Sequence, residues 1–191
     1  KSDIEKTRAV FGEFCPDWTE ERFTETENLV SGIKYAVDNG ADVINLSVGG
    51  SVSNCDEIDS AIAYAHENNV SVIVAAGNER REISDYCPAH NESAITVSAV
   101  NYENKFAKKF SNFGEYVDCC APGVSLVGYS ADSLPKTVNG TSFSTALISA
   151  GVAMLKLDYP EYGADDIQNK LKSICSDLGE EGFDNYYGHG L

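Results

Sequence analysis

Between residues 28 and 78 the chain runs through one plan twice, and that repetition restricts the folds open to it. Leu29, Ile33, Ala36 and Val37 recur at the spacing of one helix face, and Asn39-Gly40 supplies a stop. Ala41 to Ser47 then reads as a buried strand that ends in Val48-Gly49-Gly50. A second helix follows, with Ser53 or Asn54 as its cap and Ile58, Ala61, Ile62 and Ala65 sharing a face. Val70 to Ala76 is another apolar strand, ending in Gly77-Asn78. Strands separated by a crossover helix must pair in parallel. The fold class expected is α/β: a doubly wound, mainly parallel sheet with helices on both faces. Ligand sites in such sheets lie beyond the C-terminal ends of the strands, and both strand ends here join glycine to small polar residues.

Further along, Ser93 to Val100 reads as an alternating, β-branched strand, and Phe106 to Gly114 as a packed loop carrying Phe106, Phe110 and Phe113. Tyr116 to Cys120 is strand-like and stops at Ala121-Pro122-Gly123; Val124 to Tyr129 is a further short strand, and Asp132 to Lys136 a turn. At Asn139-Gly140-Thr141-Ser142 the chain turns sharply into a helix. From Phe143 to Leu157 that helix is apolar on nearly every side, which predicts that the rest of the domain encloses it. Thr141 or Ser142 would offer a capping oxygen at its start. The same residues admit a second reading, in which Ser142 is a nucleophile held where the helix dipole favours negative charge. Both hold together if Thr141 caps while Ser142 points outward. Ser144 stands where a Gly-x-Ser-x-Gly elbow needs its second glycine, which disfavours an α/β-hydrolase. Pro160 ends the helix, and a last amphipathic helix aligns Ile167, Leu171 and Ile174 behind Asp165 and Asp166. Lys1 to Glu27 is charged and without a sustained period, and supports no functional assignment.

Composition narrows the partners. Thirty acidic against 14 basic side chains give a net charge of −16, which argues against nucleic acid or an anionic membrane, since phosphate recognition needs clustered Lys and Arg. No apolar run reaches membrane-spanning length. The six cysteines, Cys15, Cys55, Cys87, Cys119, Cys120 and Cys175, contain no Cys-x-x-Cys pair and show the spacing of neither a zinc site nor a disulfide framework. They are read as mostly free thiols, which leans towards a reducing environment and leaves the compartment, secreted or intracellular, open.

Several motifs in order carry a resemblance. Gly140-Thr141-Ser142 entering the helix is similar to the nucleophile motif of the subtilisin-like serine peptidases. Val74-Ala75-Ala76-Gly77-Asn78-Glu79 resembles that family's oxyanion-hole segment, and Val43-Ile44-Asn45-Leu46-Ser47-Val48-Gly49-Gly50 its substrate-binding strand. Weaker matches are Phe110-Ser111-Asn112-Phe113-Gly114, Val117-Asp118-Cys119-Cys120-Ala121-Pro122-Gly123 and Tyr187-Gly188-His189-Gly190-Leu191, so that the resemblance runs from about Asn28 to the last residue. It implies a serine endopeptidase that acts on extended peptides or proteins through an acyl-enzyme. Ser142 would attack the scissile carbonyl, and the Asn78 amide would donate to the oxyanion. Ser47, Val48 and Gly49 would bind the peptide by strand addition. Ala75, Ala76 and Gly77 would wall the specificity pocket, with Glu79 near its rim. No cofactor is required; structural calcium is compatible with the family, but no acidic cluster here has a recognisable loop spacing and no metal ligand is assigned.

Two departures from the pattern matter. The family's helix motif carries a proline where this chain has Ala146. More severely, the Asp and His motifs that should precede the binding strand are absent. His66 falls on a polar helix side, His90 in a loop, and His189 in the C-terminal motif, so none is placed as the base, and no carboxylate is assignable as the orienting acid. The chain is therefore expected to be one incomplete catalytic domain, the C-terminal portion of a subtilisin-like fold, with residues 1–27 a loop or insertion. It should be inactive alone, and its incomplete sheet should leave an unpaired edge through which it associates. The alternative reading is a non-catalytic, peptide-binding pseudoprotease or one part of a split protein. A nucleotide-binding α/β domain ranks last, because neither Gly-x-Gly-x-x-Gly nor a P-loop follows any strand.

Overall fold

The computed structural model describes residues 9–11, 25–51, 55–129 and 134–191. In chain order these form β1 (Ala9–Phe11), α1 (Glu25–Asp38), β2 (Val43–Leu46), α2 (Asp56–Glu67), β3 (Ser71–Ala75), β4 (Ile95–Val100), β5 (Cys119–Pro122), β6 (Leu126–Tyr129), β7 (Pro135–Val138), α3 (Thr141–Asp158) and α4 (Ala164–Ile174). Strands β1 to β5 lie side by side in that order and every pairing is parallel. The α/β class with helices on both faces is what the doubled helix–strand pattern predicted.

The strand pleat sorts the core into two. Ile44, Leu46, Val72 and Val74 pack with Ile33 and Val37 of α1 and Ile58, Ala61, Ile62 and Ala65 of α2. The intervening residues Val43, Ile73, Ile95, Val97, Cys119 and Ala121 point the other way, onto Val152 of α3 and Ile167 and Leu171 of α4. Strand β4 is buried along its whole length, so its β-branched alternation serves two apolar faces rather than one apolar and one wet.

Four expectations are corrected. Helix α3 is not enclosed: Phe143, Leu147, Met154 and Leu157 are exposed, and the face on the sheet is largely hydroxylic, with Thr141, Ser144, Thr145, Ser149 and Val152 buried. Short side chains let the helix sit close to the strands, and their hydroxyls are satisfied there. Ser149 donates to Asn45 Oδ1 (2.9 Å), Ser144 to Ala121 O (2.9 Å), and Thr145 back to Thr141 O (2.7 Å). Second, Pro135 and Lys136 belong to β7, which pairs antiparallel with β6, and not to a turn. Third, the residue at the N-cap of α2 is Cys55; Ser53 and Asn54 lie outside the described residues. Fourth, Cys55 and Cys87 form a disulfide with Cα atoms 6.1 Å apart, although Cys119, Cys120 and Cys175 are free as expected. Cys15 lies outside the described residues.

Candidate active site

Three segments meet at the first turn of α3. Its N-cap is Gly140, at φ +146°, a conformation open to glycine and strained for a side chain. A glycine cannot cap with a side chain, so the orphan donors of the first turn need partners from elsewhere. Asn78, one residue past the turn that ends β3, supplies one: its Oδ1 accepts from Thr141 N–H at 2.9 Å and lies 3.2 Å from Thr141 Oγ1. Thr141 Oγ1 in turn accepts from Gly77 N–H at 3.1 Å. The hydroxyl proton is therefore left for Asn78 Oδ1, and the chain of bonds runs Gly77 N–H to Thr141 O–H to Asn78. Neither Thr141 nor Ser142 caps its own helix, contrary to the sequence reading.

This wiring fixes the orientation of the Asn78 amide. With Oδ1 turned to Thr141, its NH2 group remains available to a ligand, and Asn78 is exposed. Ser142 follows Thr141, half-buried, and its Oγ has no hydrogen-bond partner among the described residues. Its carbonyl accepts from Ser47 Oγ at 3.2 Å, and Asn45 Nδ2 donates to the same Ser47 oxygen at 2.9 Å. The end of β2 is thus tied to the residue proposed to react.

Past Ser47 the chain emerges from the sheet with Val48 half-buried and Gly49 exposed. Gly50 exchanges both backbone hydrogen bonds with Cys87, at 2.9 and 3.0 Å. The glycine at 49 has a structural reason that the sequence did not reveal: a Cβ there would stand 2.6 Å from Tyr86 Cε1 and 3.3 Å from Cys87 O. Ala75, Ala76 and Gly77 are buried, and Ala76 packs with Ile83, Tyr86, Ala89 and Val117 behind the loop.

One organiser went unassigned in the sequence. Asn112 is fully buried, and its amide donates to Ala76 O (2.8 Å) and Glu79 Oε2 (2.9 Å) while its carbonyl accepts from Glu79 N (2.8 Å) and Arg81 N (3.1 Å). A Cβ on Gly77 (φ +102°) would collide with that same amide. Glu79 Oε2 also accepts from Asn78 N at 2.8 Å, so the glutamate folds back on its own loop instead of standing free at a rim. Burial, then the Glu79 carboxylate, pushes the Tyr86 phenol well above its ordinary value.

The three histidines are engaged elsewhere. His66 Nε2 lies 2.9 Å from Asp165 Oδ1, bridging α2 and α4. His90 Nε2 lies 3.2 Å from Asp59 Oδ2, and the His189 ring packs against Phe183 at 5.6 Å.

Comparison with known proteins gives this arrangement its class. The sequence model of the subtilase family matches residues 16–190, and the chain belongs to that family. It is 35% identical to Subtilisin DY of Bacillus licheniformis over 166 residues, which is 85% of this chain and 59% of that protein. Against the Minor extracellular protease Epr of Bacillus subtilis it is 30% identical, covering 87% of this chain and 26% of that protein. Among solved structures, a cold adapted subtilisin-like serine proteinase superposes with a TM-score of 0.77 at 27% identity, over 85% of this chain and 59% of the other. The chain thus spans about 59% or less of the length of these relatives. The match begins at residue 16, ahead of Asn28 where the motifs became readable.

Proposed function

We propose that this chain carries the reacting half of a serine endopeptidase site. Ser142 attacks the scissile carbonyl of an extended peptide. The Asn78 amide, with the backbone N–H of Ser142, holds the oxyanion. Ser47, Val48 and Gly49 pair with the peptide backbone as an added strand. The observation that carries the reading is the Thr141–Asn78 hydrogen bond, which presents an amide donor one residue from an unengaged serine hydroxyl.

No hydrogen bond joins Ser142 Oγ to any of this chain's three histidines, of which His66 and His90 face carboxylates and His189 packs on Phe183, so the general base and its orienting acid are assigned elsewhere. They come from a further segment or a second chain, and this sequence alone hydrolyses little or no peptide. Among the described residues the edges of the parallel sheet are β1 and β5, and β1 is the edge proposed to receive such a partner. Supplying a segment that bears the His and Asp motifs should restore hydrolysis of a denatured protein substrate, with complex formation visible by sedimentation. If the restored activity is unaffected by Ser142→Ala, the assignment of the nucleophile is wrong. The same engagement of all three imidazoles favours, as the second reading, a peptide-binding module that keeps the cleft without the chemistry. Peptide affinity that persists in a complemented protein with no hydrolysis would decide for it.

A further inference from the structure

We infer that the corner formed by Cys55, Asp59, Cys87 and His90 is a redox-gated metal site: a disulfide when oxidised, and a tetrahedral Zn2+ centre when reduced. The site is separate from the Ser142 cleft, and none of its side chains is given a part in the reaction above.

Three of the four donor residues are already gathered. One atom each from Cys55, Asp59 and His90 lie within 4.8 Å of one another. Cys55 Sγ is 3.7 Å from Asp59 Oδ1, and His90 Nε2 is 3.2 Å from Asp59 Oδ2. Tetrahedral zinc with bonds of about 2.0–2.3 Å has ligand–ligand edges of roughly 3.3–3.8 Å; the two contacts run to different oxygens of Asp59, so a metal bound through one oxygen would draw the donors together from within 4.8 Å. Cys87 Sγ is the fourth donor, bonded to Cys55 in the oxidised form. Two thiolates, an imidazole and a carboxylate suit Zn2+ or Co2+ and not a hard cation such as Ca2+.

The groups behind the donors are also in place. His90 Nδ1 lies 3.3 Å from Tyr86 O and Nε2 3.2 Å from Asp59 Oδ2, so both ring nitrogens face groups that only accept. A neutral ring with its N–H on Tyr86 O would leave the Nε2 lone pair for an ion held beside Asp59. Asn91 Nδ2 donates to Asp59 Oδ1 at 2.6 Å and holds the carboxylate in position. A ring N–H anchored on a carbonyl and a hydrogen-bonded carboxylate are the supports that metal ligands have. Asp59 is presented from the first turn of α2, directly after Cys55 at its N-cap, so two of the donors share one rigid element.

The chemistry balances with a thiol reductant. A dithiol gives two electrons and two protons to the S–S bond, leaving Cys55–SH, Cys87–SH and the reductant's own disulfide. Zn2+ then displaces both thiol protons to solvent as the thiolates bind. Because Cys87 also holds Gly50 through its backbone, the change of state occurs directly behind the 47–50 edge.

The test uses Co2+ as a spectroscopic stand-in, added to the chain before and after treatment with a non-chelating phosphine, with far-ultraviolet dichroism recorded in parallel. The reduced protein should take up one Co2+ per chain with thiolate charge-transfer absorption and the intense visible bands of a tetrahedral ion. Zn2+ should displace it, and the oxidised protein should show neither band. Asn91→Ala should weaken uptake by about 10–100-fold, the cost of losing an outer hydrogen bond, and His90→Ala by more. Should reduction unfold the chain, Co2+ or Zn2+ should restore its helical signal. The inference is overturned if the reduced protein gives no cobalt–thiolate band, if the band is indifferent to His90→Ala, or if an unfolded reduced chain is not rescued by metal.

Discussion

The side-chain carbonyl oxygen of Asn78 accepts the backbone N–H of Thr141 at 2.9 Å, so the side chain proposed to stabilise the oxyanion also caps the helix that carries Ser142, the proposed nucleophile. Position and proposed chemistry are therefore joined in one amide: the oxygen serves the fold, and the nitrogen is left for the proposed oxyanion.

That division separates two substitutions at the same residue. Asn78→Ala removes both functions. It should lower stability by about 0.5–2 kcal/mol, the usual cost of losing a helix cap. In the complemented protein kcat should fall by about 10²–10³, the known cost of losing the side-chain oxyanion donor of a subtilisin. Asn78→Asp keeps an acceptor for Thr141 at a helix N-terminus but has no donor. Urea unfolding should show stability near the parent value, while the kinetics should match those of the alanine variant.

Asn112 should behave as a positioning residue. Asn112→Ala strands Ala76 O, Glu79 N and Arg81 N around a buried gap, each worth about 1–3 kcal/mol if left unsatisfied. The expected loss is about 3 kcal/mol or more in urea unfolding. Peptide turnover should fall because the Gly77-Asn78 turn is no longer held.

Gly49 should tolerate no side chain while Tyr86 is present. Gly49→Ala brings a Cβ to 2.6 Å from the Tyr86 ring, an overpacking expected to cost about 1–3 kcal/mol. Truncating the ring in Gly49→Ala/Tyr86→Ala should make the two changes less than additive. A fully additive double-mutant cycle would separate the two residues.

Alkaline pH should destabilise the chain through two buried acids. Burial holds the Tyr86 phenol above its ordinary value, and burial followed by Cys175 pushes the Cys120 thiol up to about 12. Both are raised in the folded state, so the unfolded chain loses these protons first. Their contribution is complete below the unfolded values of about 8.5 for Cys and 10 for Tyr, and is lost as pH climbs through the folded ones. Urea midpoints measured from pH 8 to 11 should fall, and should fall less steeply in Tyr86→Phe and in Cys120→Ala.

The parts of this molecule that were readable in advance are those where local pattern and tertiary role coincide. Ile33, Val37, Ile58 and Ile62 mark helix faces, and Val43 to Leu46 and Ser71 to Ala75 mark strands, because one period serves both packing and local geometry. Gly77-Asn78 and Gly140-Thr141-Ser142 were legible as strand-end and helix-start signals, and the structure brings them together. What was missed is non-local. Cys55 and Cys87 stand 32 residues apart, and no spacing rule pairs them. Asn112 matters through bonds to a loop more than 30 residues earlier. The outer side of α3 was misjudged: Phe143, Leu147, Met154 and Leu157 read as enclosed and are exposed, while the sheet-facing side is made by hydroxyls that bond to Asn45, Ala121 and the helix's own carbonyls.

The most direct test of the central claim is active-site labelling with a fluorophosphonate. The chain is complemented by a segment carrying the His and Asp motifs, and the adduct is mapped by peptide mass spectrometry. The account predicts one adduct per chain, on Ser142, with labelling and hydrolysis both abolished by Ser142→Ala. An adduct on another residue, or peptide hydrolysis that survives Ser142→Ala, would contradict it.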